Sequence, residues 1–282
     1  MKILVIGANG FLGRAIISRI DTEINEVIGL VRNLNDSSLG NCKLIEIDDL
    51  NGYSFLKDIY FDVILNVSMK RSVGLDERLT MDLNFNKPFN IISELANSNT
   101  LVLNASTYIQ NFGGIEGVAK ESYGQAKNLL SSGLEKEAKL GKFRVLDLFL
   151  FTLYGPGDSP GRLIPLLLRE GFVGNRISLT EGNQLMNLLY VNDAVDLFLD
   201  AFKYSEIGYS KFYLWEDSYL TLREIVGTIE TVLGFEIPVD WGRKPYSGHE
   251  MFSPWEIPMK QFPNFETKTN LLSGITKILN CS

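Results

Sequence analysis

Short apolar runs alternate with stretches of helical spacing along the first half of the chain. Residues 2–6, 26–31, 43–47, 62–67, 100–104 and 143–151 are the runs, dense in Ile, Val and Leu. Between them, Leu12, Ala15, Ile16 and Ile20 recur at helical spacing over 12–20, and 88–97 and 121–140 read as further helices. Strands that are apolar on both faces predict a parallel sheet covered by helices on both sides. Parallel neighbours require right-handed crossovers, so an α/β, doubly wound sheet is expected. The pattern changes at Tyr154–Gly161, which is crowded with glycine and proline. Beyond it, 185–191 predicts a returning strand and 193–204 a helix, with Asn192 and Asp193 as its cap. Residues 236–265 predict a loop-rich stretch holding two of the three tryptophans.

Composition narrows this picture by exclusion. The 282 residues are 45% hydrophobic and 22% charged, an ordinary globular balance. No apolar stretch reaches 18 residues, so no membrane span is expected. The chain opens directly on Ile3–Ile6 without the three-part pattern of a secretion signal, and a cytoplasmic location is expected. A net charge of −7 argues against nucleic acid as the main partner. Cys42 and Cys281 make no disulfide framework or metal-ligand spacing, and His249 stands alone, so neither a metal site nor a His-based triad is expected.

Candidate chemistry begins at Gly7-Ala8-Asn9-Gly10-Phe11-Leu12-Gly13, between the first strand and the first helix. The first glycine permits a tight turn, the second a close approach to a pyrophosphate, the third close packing of helix on strand. Gly7, Asn9, Gly10, Phe11 and Leu12 are therefore candidate contacts of a dinucleotide, as is Val67 at the end of the fourth strand. The second strand ends Val31-Arg32-Asn33 with no carboxylate for a ribose diol; Arg32 suits a 2′-phosphate, favouring NADP(H) over NAD(H). Asp49 and Leu50, after the third strand, are placed to reach the adenine. The expected division is a dinucleotide-binding domain, 1–154, rejoined by 185–214, and a smaller discontinuous C-terminal substrate domain from 155–184 and 215–282.

Tyr123 and Lys127 are four apart in a predicted helix and so share a face. An ammonium near a phenol favours the phenolate, so Lys127 is expected to lower the pKa of Tyr123 and make it a proton-transfer group. The helix follows Asn104-Ala105-Ser106-Thr107, at the strand edge where such sheets bind ligands. Ser106 and Thr107 are both candidates to hydrogen-bond the reacting oxygen. Arg162, opening an apolar helix, is a candidate phosphate contact, and Gln184 a candidate contact to sugar or base. His249 and Trp255 are expected to be structural.

With these motifs the chain resembles the extended short-chain dehydrogenase/reductases, the NAD-dependent epimerase/dehydratase family acting on nucleotide sugars. The marks are the glycine turn, Asp62-Val-Ile-Leu-Asn-Val, Asn84, the Ser106/Thr107 strand end, Tyr123-x-x-x-Lys127, Leu153-Tyr-Gly-Pro-Gly-Asp158 and Tyr190-Val-Asn-Asp193. The resemblance implies a Rossmann sheet, a catalytic Ser or Thr with Tyr123, Lys127 on the nicotinamide ribose, and a homodimer. Asn104–Gln110, Asp158–Pro165 and Glu181–Gln184 look more narrowly like 4-ketoreductases of the CDP-abequose synthase type, which use NADPH on a 4-keto-6-deoxy sugar nucleotide. Two departures matter. No Asp-Glu pair follows Ser106 or Thr107, which disfavours dehydration, and Phe149 stands where the family often has Arg. The resemblance implies a 4-ketoreductase, with a 4-epimerase holding NAD tightly, or a non-catalytic nucleotide sensor, as the rivals.

Overall fold

The computed structural model of the chain describes residues 1–34, 39–47, 52–71, 76–112, 119–215, 218–255, 260–263 and 265–280. The apolar runs become β1 (Lys2–Ile6), β2 (Glu26–Val31), β3 (Lys43–Glu46), β4 (Val63–Asn66), β5 (Leu101–Thr107) and β6 (Arg144–Leu150). Between them lie α1 (Phe11–Ile17), α2 (Glu77–Met81), α3 (Lys87–Leu95) and α4 (Ser122–Lys139). There follow β7 (Thr152–Tyr154), α5 (Leu163–Val173), β8 (Ile177–Ser178), β9 (Leu185–Met186), β10 (Leu188–Tyr190) and α6 (Val191–Asp200). The chain continues through β11 (Tyr209–Leu214), β12 (Leu220–Thr221), α7 (Leu222–Leu233), β13 (Val239–Asp240) and α8 (Leu271–Asn280).

Seven strands form one parallel sheet in the order β3-β2-β1-β4-β5-β6-β11. The order reverses between β1 and β4, and the crevice beyond the strand ends at such a reversal is where open α/β sheets bind ligands. This is the Rossmann arrangement expected from the alternation. Each face carries its own core. Leu101, Leu103 and Ala105 of β5 pack with α1 and α6 residues such as Ile16 and Phe198. Val102, one position over, packs with Leu130 and Leu134 of α4 and Ile92 of α3. Among the described residues no helix is long and apolar enough to cross a membrane.

Three departures from the expected elements have local causes. The helix predicted over 88–97 is the end of a longer helical stretch that begins at Glu77 and passes through a π-turn at Asp82–Asn86. Pro88 has no N–H to offer the Asn84 carbonyl one turn back, which loosens the ladder there. The strand predicted over 185–191 is broken at Asn187, whose side chain donates to Ser218 O at 3.2 Å. Its pieces pair with β12 and β7, and β11 is the strand that joins the sheet edge. Lastly, α6 starts two residues earlier than expected, with Tyr190 at its N-cap, so Asn192 and Asp193 do not cap it. The Asp193 carboxylate instead accepts from Lys268 N (3.0 Å), Thr269 N (2.9 Å) and Thr269 Oγ1 (3.2 Å).

The C-terminal part has a core of its own, in which Leu167 of α5, Ile225 and Ile229 of α7, and Ile275 of α8 surround Tyr154 and Tyr190. Thr221 and Glu224 form a reciprocal capping box at the start of α7, and Gly234, with φ of 78°, ends it.

Candidate active site

The glycine turn is built by close approaches that only glycine allows. Gly7 has φ of +89°, and a Cβ there would lie 2.7 Å from Ser68 Cα in the loop after β4. A Cβ on Gly13 would run into the carbonyls of Gly7 and Ala8. The N–H groups of Gly7 and Ala8 both donate to Leu30 O of β2, at 3.1 and 3.3 Å. Asn9 Nδ2 reaches Asn33 O at 3.3 Å, tying the turn to the tip of β2 where Arg32 is exposed. Phe11 and Leu12 open α1 directly after Gly10, and Val67 N donates to Ile6 O at 3.0 Å beside the turn. This bare-backbone cradle fits a dinucleotide pyrophosphate. Glu46, at the end of β3, accepts from Leu34 N at 3.0 Å. Asp49 and Leu50 lie outside the described residues.

Tyr123 and Lys127 fall on the buried face of α4, at 6% and 1% exposure. Lys127 Nζ donates to Ser68 O (2.9 Å) and Ala105 O (3.0 Å), joining α4 to the ends of β4 and β5. Burial pulls the Lys127 pKa down to about 8, with Asp147 acting in the opposite direction. For Tyr123, burial pushes the hydroxyl pKa upward and outweighs everything else; the cations that oppose it are Arg71, then Arg162. The Lys127 ammonium is turned to backbone carbonyls, and Arg71 and Arg162 are the cations that oppose burial at Tyr123.

The two strand-end hydroxyls differ in setting. Ser106 Oγ donates to Asp147 Oδ1 at 2.6 Å, lies 3.0 Å from Ser131 Oγ, and accepts from Asn104 Nδ2 at 3.0 Å. It belongs to a buried polar group beneath the site. Thr107, the last residue of β5, accepts from Ile109 N at 3.4 Å, and its own N–H is held by Gln110 Oε1 at 3.0 Å. Arg162 stands at the N-terminal end of α5, and its side chain holds Leu153 O (3.2 Å) and Asp158 (3.4 Å). Gln184 Oε1 accepts from Thr180 Oγ1 at 3.0 Å.

Several residues of the site carry no spacing signal. Arg71 forms a two-pronged pair with Glu121 (2.7 and 3.0 Å) and stands 6.0 Å from the centre of the Tyr123 ring. His249 Nδ1 lies 3.4 Å from Glu121 Oε1. Tyr108 stacks on Phe151 at 4.6 Å, and Trp255 packs against Tyr108 at 5.6 Å and Phe112 at 5.1 Å. The loop-rich tail therefore folds over the α4 end of the site, bringing His249 and Trp255 against Glu121, Tyr108 and Phe112. Phe149, in the place of the family's Arg, is buried against Tyr213 at 5.0 Å. Asn84 is buried at the π-turn; it clamps Lys70 through both N–H and carbonyl at 2.9 Å, setting the loop that leads to Arg71.

Comparison with known proteins agrees with this geometry. The model of the NAD dependent epimerase/dehydratase family matches residues 3–210. CDP-abequose synthase of Yersinia pseudotuberculosis is 21% identical over 264 residues, covering 90% of this chain and 92% of that one. The UDP-glucose 4-epimerase of Thermotoga maritima, solved with UDP-glucose, superposes with a TM-score of 0.83 at 16% identity, over 99% of this chain and 98% of that one. The UDP-glucuronic acid 4-epimerase of Bacillus cereus, solved with NAD, gives 0.82 at 16% identity, over 99% and 96%. At these identities the solved structures speak for the fold, and the family match covers most of the chain. From its Gly7–Gly13 turn to β11, the chain belongs to the NAD dependent epimerase/dehydratase family.

Proposed function

We propose that the protein reduces the 4-keto group of a nucleotide-activated deoxysugar with NADP(H), Tyr123 donating the proton. The observation that carries this reading is the buried hydroxyl of Tyr123. Burial raises its pKa, so it is protonated at neutral pH, and Arg71 and Arg162 act against that rise without overcoming it. Reduction of a carbonyl needs such a donor at the developing alkoxide. With its pyrophosphate over the Gly7–Gly13 turn, bound NADPH would supply the hydride.

The chain's own residues divide the remaining work. Gly7, Asn9, Gly10, Phe11, Leu12 and Val67 form the dinucleotide cradle, and Arg32 receives the 2′-phosphate. Lys127 has two of its three N–H groups on carbonyls, and the third serves the nicotinamide ribose. Thr107 is the hydroxyl we assign to the carbonyl oxygen, because that of Ser106 is engaged with Asp147. Arg162 is assigned to substrate phosphate and Gln184 to the sugar or base, within a substrate domain of 155–184 and 215–282. Eliminating water from a sugar requires an acid and a base besides the tyrosine, and Tyr108, Ile109 and Gln110 offer no carboxylate. The likeness to CDP-abequose synthase supports the same direction.

The second reading is a 4-epimerase that keeps NAD bound, favoured by the superpositions on 4-epimerases. One experiment separates the two. The purified protein is mixed with NADPH and a panel of 4-keto-6-deoxy sugars linked to CDP, dTDP, UDP and GDP. Stoichiometric NADPH consumption with a 4-hydroxy product supports reduction. Co-purifying NAD with interconversion of C4 epimers and no net NADPH use would overturn it.

A further inference from the structure

Asp147 interrupts the apolar strand Arg144-Val-Leu-Asp-Leu-Phe-Leu150 and is fully buried. Among the described residues no arginine or lysine forms an ion pair with it, although an isolated buried carboxylate is costly. What it has instead is a row of hydrogen-bond donors. In register, Asn66 of β4, Asn104 of β5 and Asp147 of β6 stand side by side. Asn66 Nδ2 donates to Asn104 Oδ1 (2.7 Å) and Asn104 Nδ2 to Asp147 Oδ1 (2.8 Å). Ser106 Oγ is a second donor to Asp147 Oδ1 at 2.6 Å, and Tyr209 OH of β11, the third, reaches Asp147 Oδ2 at 2.8 Å.

The far end of the row leads to Lys127. Ser68 Oγ donates to Asn66 Oδ1 at 2.7 Å, and the carbonyl of the same Ser68 receives Lys127 Nζ. Ala105, whose carbonyl receives the second Lys127 bond, sits between the two β5 residues that hold Asp147. Both oxygens that grip the ammonium are therefore fixed by the row that ends on the carboxylate.

We propose that Asp147 is a positioning residue for the Tyr123–Lys127 pair: its buried side chain anchors the polar row that fixes the two carbonyls gripping Lys127, and so aims the ammonium. The groups that face Lys127 leave little else for the task. Tyr123 lies on its own helix; Tyr209, which donates to Asp147, is held neutral by burial and by that carboxylate; and Glu135 of α4 is paired with Lys139. Asp147 is also the one charge that opposes the burial-driven loss of the Lys127 proton. The inference rests on Lys127 serving the reaction proposed above, but its test does not depend on turnover.

Two variants are made. In Asp147→Asn, the titration of Lys127 is followed by NMR of protein labelled at lysine Cε, without cofactor. We expect the Lys127 midpoint to fall by a pH unit or more, a tenfold loss of proton affinity. The alkaline limb of activity should move down with it, and activity should recover at lower pH. In Asn66→Ala, which keeps Asp147 but cuts the row between Asn104 and Ser68, the Lys127 Cε signal should shift and broaden as the ammonium loses its fixed carbonyls. An unchanged Lys127 midpoint in folded Asp147→Asn, or an unchanged Lys127 signal in Asn66→Ala, overturns the proposal. The second measurement holds even where the first variant fails to fold. If the shifts are seen but no sugar nucleotide is reduced, the proposed function fails while the coupling stands; turnover with an unmoved pH profile in Asp147→Asn is the reverse case.

Discussion

Tyr123 and Lys127 are both buried, and burial acts on them in opposite directions. It holds the phenol protonated and makes the ammonium easy to lose. Removing the hydroxyl should therefore remove the proton donor and little else. Tyr123→Phe is expected to lower kcat by about 10²–10⁴-fold while NADPH binding, read by fluorescence, stays within a few-fold of the parent. For Lys127 the unfolded chain holds its proton to the ordinary value of 10.5, the folded chain only to about 8. Between those values the unfolded state binds more protons, so stability should rise as pH increases through the window, by on the order of 3 kcal/mol. Urea unfolding of the parent at pH 8 and pH 10 measures this, and Lys127→Met should flatten the rise. At the other end of the site, Arg32→Ala is expected to raise the KM for NADPH roughly ten- to a hundredfold, as the loss of a charge-assisted contact would, with KM for NADH nearly unchanged. Equal effects on both cofactors would remove Arg32 from 2′-phosphate recognition.

At the scale of elements, two short segments carry more than their length suggests. The glycine turn holds α1 against β1 and β4 so closely that Gly13→Ala should push the helix off the turn. A loss of about 1–3 kcal/mol is expected from overpacking, seen as a lower melting temperature together with weaker cofactor binding. Asp193 clamps the 268–269 segment onto α6. Asp193→Ala strands two backbone N–H groups and should cost about 2–3 kcal/mol, with hydrogen exchange rising first in α8. The sheet and the turn were legible because continuous Val/Ile/Leu runs and fixed glycine spacing are local signals. The role of Asp193 was not, since its partners are 75 and 76 residues away. Arg71, Glu121 and Tyr108 were missed for the same reason: they meet at Tyr123 only once β4, α4 and β5 are aligned. The Ser106/Thr107 alternative needed the side-chain alternation along β5, which places Ser106 towards Asp147. For Asp147 a signal did exist, a lone carboxylate in an otherwise apolar strand. The α7 capping box, Thr221 followed by Glu224, was likewise readable before the fold was known.

At the scale of the molecule, the homodimer implied by the family resemblance is a further expectation. Leu79 of α2 and Leu129 of α4 are 43% and 46% exposed, on two helices that pack together. Paired with a second copy, they would form a four-helix contact. Sedimentation should give twice the 31.7 kDa chain mass, and Leu129→Glu should return it to one copy. The position of β11 has another consequence, one for the order of events at the ribosome. The parallel sheet is completed by residues 209–214, after the chain has left it at β6 for α5 and the short strands and passed through α6. A nascent chain that has emerged only through β6 presents that strand as an open edge, with Asp147 in it still lacking Tyr209. The seven-stranded sheet is thus finished late, and synthesis must have passed Leu214 before that edge is covered.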